Sequence, residues 1–397
     1  MIEHESIICF GGEDFWYHHP HPSEHLMRRF ARAGNRVIFV NSISMGLPSL
    51  AHKDLLPRVW RKLRSYARFA REAERNLTVV SPPVVPFFGS RAGRAVNQLL
   101  LSAQLNLLAG RKKITRPILW IAIPTAVDMM GRLDESLVVY LITDKYDANT
   151  MDHATEPRHI TRLHERALAA SDIIFYSGRK LLDEAIIARE RSYLLEHGID
   201  YEHFAQVSSD KLVIPPEIAR IPRPRLGYFG AMEEWLIDQE LVERISRERP
   251  AWQWVFVGNC ARGMRIGKLE NVHILPAVAY ADLPRYAAGF DACVLPWNTN
   301  NTWTTYASPM KVREYLATGK PTVIVELYEF EHLRDVLRIA HSHDEFLRLT
   351  EDALSETGEE QKRARQKSIR HLTWDRHAET VSGLIEETFA EKRTKLK

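Results

Sequence analysis

One stretch of the chain reads Ser308-Pro-Met-Lys-Val-Arg-Glu-Tyr-Leu-Ala-Thr-Gly-Lys-Pro-Thr-Val-Ile-Val325, and it predicts a helix followed by a buried strand. Ser308 is a favourable N-cap, and Pro309 suits the first helical position because its missing N–H costs nothing there. Gly319 suits the left-handed conformation that ends many helices, and Pro321 prevents the helix from continuing. The stretch is therefore typical of one helix-to-strand unit of an α/β domain.

Two charged side chains on this predicted helix indicate a ligand. Lys311 and Glu314 are three residues apart and stand together on one helical face. A lysine in the first turn opposes the helix macrodipole, but it suits a helix whose N-terminus holds an anion such as a diphosphate. The backbone of 308–310 would then face the same anion, and Glu314 would accept hydrogen bonds from sugar hydroxyls. The alternative is an ordinary surface ion pair.

The bulk properties describe a chain long enough for two domains. It has 397 residues, 45% hydrophobic and 26% charged, as in globular proteins that remain in solution. A net charge of +3 does not indicate nucleic acid, and the sequence has neither an apolar run of membrane-spanning length nor a secretory signal. The three scattered cysteines suit a reducing compartment, so we expect a cytoplasmic protein.

The first half of the chain opens like a doubly wound α/β domain. A short apolar strand, Ser6 to Phe10, ends in Gly11-Gly12-Glu13-Asp14, and a helix follows from Pro22. The glycines would let a ligand approach the backbone closely, although a plain tight turn has the same pattern. Further strands are predicted at 35–41, 117–123, 137–143 and 173–177.

Asp144 follows the predicted strand at 137–143. Carboxylates at the C-terminal ends of parallel strands line the crevice where open α/β sheets bind ligands. Asp144 is therefore a candidate site residue, and capping of the next helix is the alternative.

The second half repeats the pattern after a proline-rich stretch, 215–224, which reads as a linker. A strand from Arg225 leads into the turn Gly230-Ala-Met232, and further strands are predicted at 252–258, 272–275 and 290–296. Near the C-terminus, apolar residues spaced on one helical face predict a last helix; they are Trp374, Ala378, Val381, Ile385 and Phe389.

Two features leave alternatives open. The aromatic and histidine-rich run at 15–25 could bind a metal, but its prolines keep it extended and no zinc spacing is present, so we predict no metal and favour a sugar-contacting loop. The segments 52–75 and 91–113 are basic and amphipathic. Such helices lie on anionic membranes or are simply solvated outer helices.

The motif Pro309-x-Lys311-x-x-Glu314-Tyr-Leu-Ala-x-Gly319-Lys-Pro321 resembles the nucleotide-sugar site of GT-B glycosyltransferases, particularly the retaining family 4 (glycosyltransferase group 1). The segment 197–204, His-Gly-Ile-Asp-Tyr-Glu-His-Phe, resembles a recurrent segment of that family with His in place of Asn. The resemblance implies two Rossmann-like doubly wound domains facing across a cleft. It places the acceptor domain at 1–214, a linker at 215–224, the nucleotide-sugar domain at 225–372, and a helix crossing back to the first domain at 373–397.

The resemblance also implies a reaction, the transfer of a sugar from a UDP- or GDP-sugar to an acceptor hydroxyl. It further suggests bacterial surface polysaccharide or glycolipid synthesis, with no cofactor or metal, and docking of the first domain at the inner face of the membrane. The absence of an Asp-x-Asp motif agrees with metal independence. The implied residues are Asp144 and Lys311 in catalysis; Gly230, Met232, Ser308, Pro309, Met310, Lys311 and Glu314 on the donor; and Gly11, Gly12, Glu13 and Asp14 on the acceptor and sugar side.

Two departures from the family leave other classes open. The family carries a first glutamate eight positions before Glu314, where this chain has Tyr306, and the turn after Gly230 lacks the family's Arg and Lys. A catalytically silent nucleotide-sugar-binding or scaffold protein and a GT-B nucleotide-sugar epimerase are the alternatives. A dinucleotide-dependent oxidoreductase is disfavoured, since no glycine turn extends to Gly-x-Gly-x-x-Gly.

Overall fold

The computed structural model describes residues 1–16, 19–41, 66, 69–85, 90–146, 157–209 and 211–395. It divides the chain into two compact units. Unit 1 comprises Met1–Glu196 together with Trp374–Lys397, and unit 2 comprises His197–Thr373. Each unit is built on a mainly parallel sheet with helices, so the α/β class predicted from the sequence is confirmed.

Unit 1 contains an eight-stranded sheet with the order β3-β4-β2-β1-β5-β6-β7-β8. Every neighbouring pair is parallel except β3 and β4. The strands are β1 Ser6–Phe10, β2 Arg36–Val40, β3 Ala70–Glu74, β4 Leu77–Val80, β5 Ile118–Ile121, β6 Leu137–Ile142, β7 Ile173–Tyr176 and β8 Ser192–Leu194. The helices before the second unit are α1 Pro22–Arg32, α2 Arg91–Lys112, α3 Pro157–Ala170 and α4 Arg179–Asp183.

Unit 2 contains a six-stranded sheet, all parallel, with the order β11-β10-β9-β12-β13-β14. The strands are β9 Arg225–Phe229, β10 Gln253–Val257, β11 Val272–Leu275, β12 Ala292–Leu295, β13 Thr322–Val325 and β14 Arg338–Ala340. The helices are α5 Tyr201–Ala205, α6 Pro216–Ala219, α7 Gln239–Glu248, α8 Leu283–Ala288, α9 Thr302–Tyr306, α10 Met310–Thr318, α11 His343–Leu354 and α12 Glu359–Ile369.

The last helix, α13 Trp374–Lys395, returns to unit 1 as predicted. Its first residue, Trp374, is buried and stacks on His25 of α1 with ring centroids 4.6 Å apart. At its other end Lys392 pairs with Asp172 at 2.7 Å. The predicted apolar face explains the docking, because Ala378, Val381 and Ile385 are buried as well.

The segment 197–214 lies in unit 2, whereas the sequence predicted it in the first domain. Phe204 is fully buried in the core of unit 2, and the backbone N–H of Ile199 donates to the Leu372 carbonyl at 2.8 Å. The proline-rich stretch at 215–224 is therefore internal to unit 2. Its composition favoured a linker, but burial of Phe204 and Ile199 attaches the preceding residues to the second core.

The two basic segments differ in structure. Most of 52–75 lies outside the described residues, but Ala70–Glu74 forms strand β3, so helical spacing was the wrong prediction for that end. Pairing of β3 with the buried strand β4 explains the extended conformation. The segment 91–113 is the helix α2, which presents Leu99 and Leu107 to solvent at 69% and 60% exposure. In the described part of the chain, no helix combines the length and apolar character needed to cross a bilayer.

Both sheets contain a point where the chain order reverses. From β1 the chain builds outward to β2 and then restarts on the other side with β5, and unit 2 does the same with β9, β10 and β12. Adjacent strands whose connections leave in opposite directions open a crevice at their carboxyl ends, where open α/β sheets bind ligands. The β9–β12 crevice of unit 2 and the β1–β5 crevice of unit 1 are therefore the expected ligand-binding positions.

Candidate active site

Helix α10 begins at Met310, with Pro309 as its N-cap residue. The prediction that Ser308 caps this helix is wrong, because no side-chain cap is formed and the Ser308 hydroxyl instead accepts a hydrogen bond from Arg313 at 3.1 Å. Gly319 ends the helix in the left-handed conformation, at φ 75°, as predicted. The N-terminal N–H groups of α10 therefore have no side-chain cap competing with an anion.

The Lys311 ammonium lies at the β9–β12 crevice. Its Nζ donates to the hydroxyl of Tyr228, from β9, at 3.0 Å, and it lies 4.5 Å from the centre of that ring. It also lies 5.0 Å from the ring of Trp297, which follows β12. The Tyr228 hydroxyl in turn donates to the Ala231 carbonyl at 2.8 Å and accepts from the Trp297 indole at 3.3 Å. Aromatic faces and one hydroxyl thus hold the lysine where both strands end.

Gly230 has no side chain, and this leaves room for the Lys311 ammonium. A Cβ at Gly230 would come within 2.3 Å of the lysine Nζ, and Gly230 has φ 136°, where other residues are strained. Gly258, after β10, has φ 153° and packs so closely that a Cβ would lie 2.0 Å from the Gly230 carbonyl oxygen. The glycine turn therefore lets two strand ends and a lysine side chain share one small volume.

Glu314 lies one helical turn from Lys311 and is only 6% exposed. Burial raises the pKa of its carboxyl to about 8, while Lys311 lowers it, Asp200 raises it and a hydrogen bond from Tyr280 lowers it. The Tyr280 hydroxyl also reaches Asp200 at 3.4 Å, and the ring of Tyr280 stacks on His203 with centroids 5.0 Å apart. The segment 197–204 thus places the Asp200 carboxylate near Glu314, and the His203 ring against the Tyr280 side chain that hydrogen-bonds Glu314.

The raised pKa of Glu314 predicts how the stability of the folded protein depends on pH. In the unfolded chain Glu314 ionises near pH 4.5, whereas in the folded protein its pKa is about 8, so the folded state holds a proton that the unfolded state has released between these values. Stability should therefore fall as pH rises from about 5 to 8, by up to about 1.4 kcal/mol per pH unit from this group. Glu314→Gln should lack this part of the slope in urea unfolding followed from pH 5 to 9.

The comparison that isolates Glu314 is the difference between the wild-type and variant unfolding free energies. We expect that difference to change steadily up to about pH 8 and to level off above it. Parallel curves over the whole range would mean that Glu314 is ionised in the folded protein at neutral pH.

The β1–β5 crevice of unit 1 holds the residues predicted on the acceptor side. Gly11 is so close to Phe39 that a Cβ would lie 2.1 Å from the ring, and Gly12 has φ 84°. Asp144 follows β6 and, together with Glu13, lies near enough to Tyr146 to raise the pKa of its hydroxyl, beyond the larger effect of burial. The Tyr146 hydroxyl donates to the Ala122 carbonyl at 2.6 Å, just after β5. The strand ends of unit 1 thus bring the two carboxylates of Glu13 and Asp144 to one region.

Other predicted residues have local roles. The Asp14 carboxylate accepts the backbone N–H of Trp16 at 2.9 Å, which closes the loop after the glycines. The Met232 side chain is fully buried in the core of unit 2, its N–H donates to the Asn259 carbonyl at 2.8 Å, and its carbonyl accepts from the Ala261 N–H at 2.8 Å. Among the histidines considered for a metal, His25 is buried against Trp374, and His18 lies outside the described residues.

Sequence reasoning missed four residues around this site: Tyr228, Trp297, Tyr280 and Asp200. The first two lie on or just after strands, where an aromatic residue is normally read as core. Asp200 stood in the recognised segment 197–204, but nothing in the spacing connected that segment to Glu314. Its proximity to Glu314 comes from the packing of α5 against α10.

Comparison with solved structures shows the fold. A sucrose-phosphate synthase from Thermosynechococcus elongatus aligns over 98% of this chain and 100% of its own, with a TM-score of 0.69 and 11% identity. Anabaena Alr3699/HepE in complex with UDP aligns over 97% and 100%, with a TM-score of 0.63 and 11% identity. The catalytic domain of starch synthase IV from Arabidopsis thaliana, bound to ADP and acarbose, aligns over 98% and 100%, with a TM-score of 0.61 and 11% identity.

No protein-family model matches the chain, and no curated protein matches it in sequence. At identities near 11% the structural likeness defines the fold, which is GT-B as the sequence predicted, with two Rossmann-like units and a final helix in the first.

Proposed function

We propose that this protein is a glycosyltransferase that moves a sugar from a nucleoside diphosphate sugar to an acceptor hydroxyl. The observation that supports this most directly is the position of Lys311, held over Gly230 by Tyr228 and Trp297 at the crevice of the second sheet. A cation beside the N-terminus of α10 suits a diphosphate. The Glu314 carboxyl, one turn away, then forms hydrogen bonds with the ribose hydroxyls.

The proposed chemistry follows from where charge develops. When the bond between the sugar and the diphosphate breaks, negative charge grows on the departing phosphate oxygen. Lys311 and the backbone of 308–310, in which Ser308 and Met310 carry an N–H and Pro309 does not, stabilise that charge. In this proposal they do so without a metal. Asp144 acts on the acceptor and sugar side, with Gly11, Gly12, Glu13 and Asp14 around it. We propose a retaining outcome by resemblance to family 4.

The donor and the setting are also proposals. A UDP- or GDP-sugar is the proposed donor, and the UDP bound to Anabaena Alr3699/HepE agrees with the first choice. We propose a cytoplasmic protein that works on surface polysaccharide or glycolipid acceptors at the inner face of the membrane. Exposed Leu99 and Leu107 on α2, which ends with the exposed Arg111 and Lys112, support a peripheral membrane contact.

The test is thermal stabilisation of the protein by UDP, GDP, ADP, CDP and their sugars, with Glu314→Ala beside the wild type. Free ligand at a hundred times its dissociation constant should add about 2.7 kcal/mol to the stability. We expect one nucleotide family to stabilise the wild type and to do so much less in the variant. If none of them stabilises the wild type, the protein binds none of these donors and a catalytically silent scaffold becomes the leading alternative. Equal stabilisation of the wild type and the variant would place the donor away from Glu314.

A silent nucleotide-sugar-binding protein is the second candidate. Tyr306 stands where the family has its first glutamate, and Glu233 and Glu234 follow the glycine turn where the family has basic residues. Turnover separates the two candidates. A transferase releases free nucleoside diphosphate when an acceptor glycan is added, whereas a binding protein retains its ligand unchanged.

A further inference from the structure

We propose that Trp235 and Trp303 form the subsite for the sugar ring of the donor. This inference rests on the proposed function, since it starts from the diphosphate at Lys311. The two rings meet edge to face with centroids 5.2 Å apart, and Trp303 also lies 5.7 Å from the ring of Trp297. Because Trp297 is in contact with the Lys311 ammonium, a continuous row of indoles leads away from the phosphate site.

Burial distinguishes these tryptophans from one another. Trp297 is 3% exposed and belongs to the core, whereas Trp235 and Trp303 are only partly buried and lie at its margin. An indole that keeps part of its surface in water at a ligand crevice offers an apolar face to the C–H groups of a pyranose. Trp254, on β10, is by contrast fully buried and offers no face to a ligand.

The loop that carries Trp303 is held rigidly. Asn301 caps the short helix α9 by accepting the Thr304 N–H at 2.9 Å, and the Thr304 hydroxyl donates to the Asn298 carbonyl at 3.0 Å. The Asn301 amide also donates to the Trp235 carbonyl at 3.4 Å, which ties the two tryptophan-bearing segments together. A subsite fixed before binding loses little conformational entropy when a ligand enters.

The order of groups along the row matches the order of groups in the ligand. A nucleotide sugar runs from ribose through diphosphate to sugar. Lys311 interacts with Glu314 and with Trp297, and Trp297 in turn contacts Trp303. The segment 298–305, which carries Trp303, also exposes Asn300, Thr302 and Thr305 to solvent. These polar side chains can hydrogen-bond sugar hydroxyls beside an apolar indole face, so we assign donor-sugar selectivity to this loop.

The test compares the affinity for a nucleotide sugar with the affinity for its bare diphosphate, using UDP-glucose with UDP and GDP-mannose with GDP. Trp235→Leu and Trp303→Leu should weaken the sugar nucleotide about tenfold and leave the bare diphosphate within twofold. Trp235→Phe and Trp303→Phe keep a ring and should recover most of the loss. Trp252→Leu, at the amino end of β10 and so at the opposite edge of the sheet, is the matched control and should change neither affinity.

The outcomes separate this inference from the function on which it rests. If the leucine variants weaken UDP and UDP-glucose equally, or change neither, the tryptophans do not hold the sugar and this inference alone is overturned. If neither diphosphate binds the wild type, the proposed donor site is wrong and the sugar subsite falls with it.

Discussion

Replacing Lys311 by alanine should lower the rate of sugar transfer about 100- to 1,000-fold. That is the range found when one preorganised group that stabilises developing negative charge is removed. The ammonium already has its position in the free protein, between Tyr228, Trp297 and Gly230, so no rearrangement is needed when the phosphate arrives. The measurement is steady-state release of nucleoside diphosphate with donor and acceptor present.

The affinities of Lys311→Ala for the nucleoside and for the nucleoside diphosphate show which part of the donor Lys311 contacts. The variant should bind the nucleoside diphosphate much more weakly than the wild type does, and should bind the nucleoside without phosphates equally well. Lys268→Ala is the matched control, because Lys268 is exposed and its loss changes the net charge by the same amount. Equal weakening of the nucleoside and its diphosphate would place Lys311 away from the phosphates.

Replacing Glu329 by alanine should destabilise the protein by about 3–5 kcal/mol. Glu329 and Arg313 form an ion pair at 2.8 Å whose side chains are 3% and 1% exposed. Removing the carboxylate leaves the guanidinium in a site that water hardly reaches, where it lies over the Phe330 ring at 5.0 Å. The cost comes from the buried charge that remains, and the free energy of urea unfolding measures it.

Two further variants test whether the buried charge left on Arg313 causes the loss of stability. The double variant Arg313→Met with Glu329→Leu removes both charges and should be much less destabilised than Glu329→Ala alone. Asp352→Ala, in the exposed pair with Arg348, should cost less than about 1 kcal/mol. A double variant as unstable as the single one would show that packing volume, rather than the loss of the carboxylate beside the buried guanidinium, is the cause.

The same ion pair explains why Ser308 is not a helix cap. Arg313 takes the Ser308 hydroxyl as a hydrogen-bond acceptor, so the residues before α10 are tied to the core through Glu329. Serine is a favourable N-cap residue when only the neighbouring sequence is considered. The buried guanidinium of Arg313, five residues away, has five N–H donors that need acceptors, and the Ser308 hydroxyl is one of them. The helix and its glycine end could be predicted, whereas this use of Ser308 could not.

Several strands could also be predicted from local patterns. Strands such as β1, β6 and β11 are short apolar runs bounded by turn residues, and these patterns persist whatever packs beside them. The end of 52–75 was misread because helical spacing in a basic sequence does not reveal the neighbouring strand β4. The assignment of 197–214 failed similarly, since composition marks a proline-rich stretch but not which core buries Phe204.

By itself the sequence determined the α/β class, the two repeats of the doubly wound pattern, and the helix that carries Lys311 and Glu314. It did so because periodicity, glycine and proline act over a few neighbouring residues. Only the tertiary structure decided that Tyr228, Trp297 and Gly230 surround the lysine, and that Asp200 and Tyr280 meet Glu314. These residues are far apart in the chain and become neighbours where separate strands and helices end together, and burial at that point then raises the pKa of Glu314.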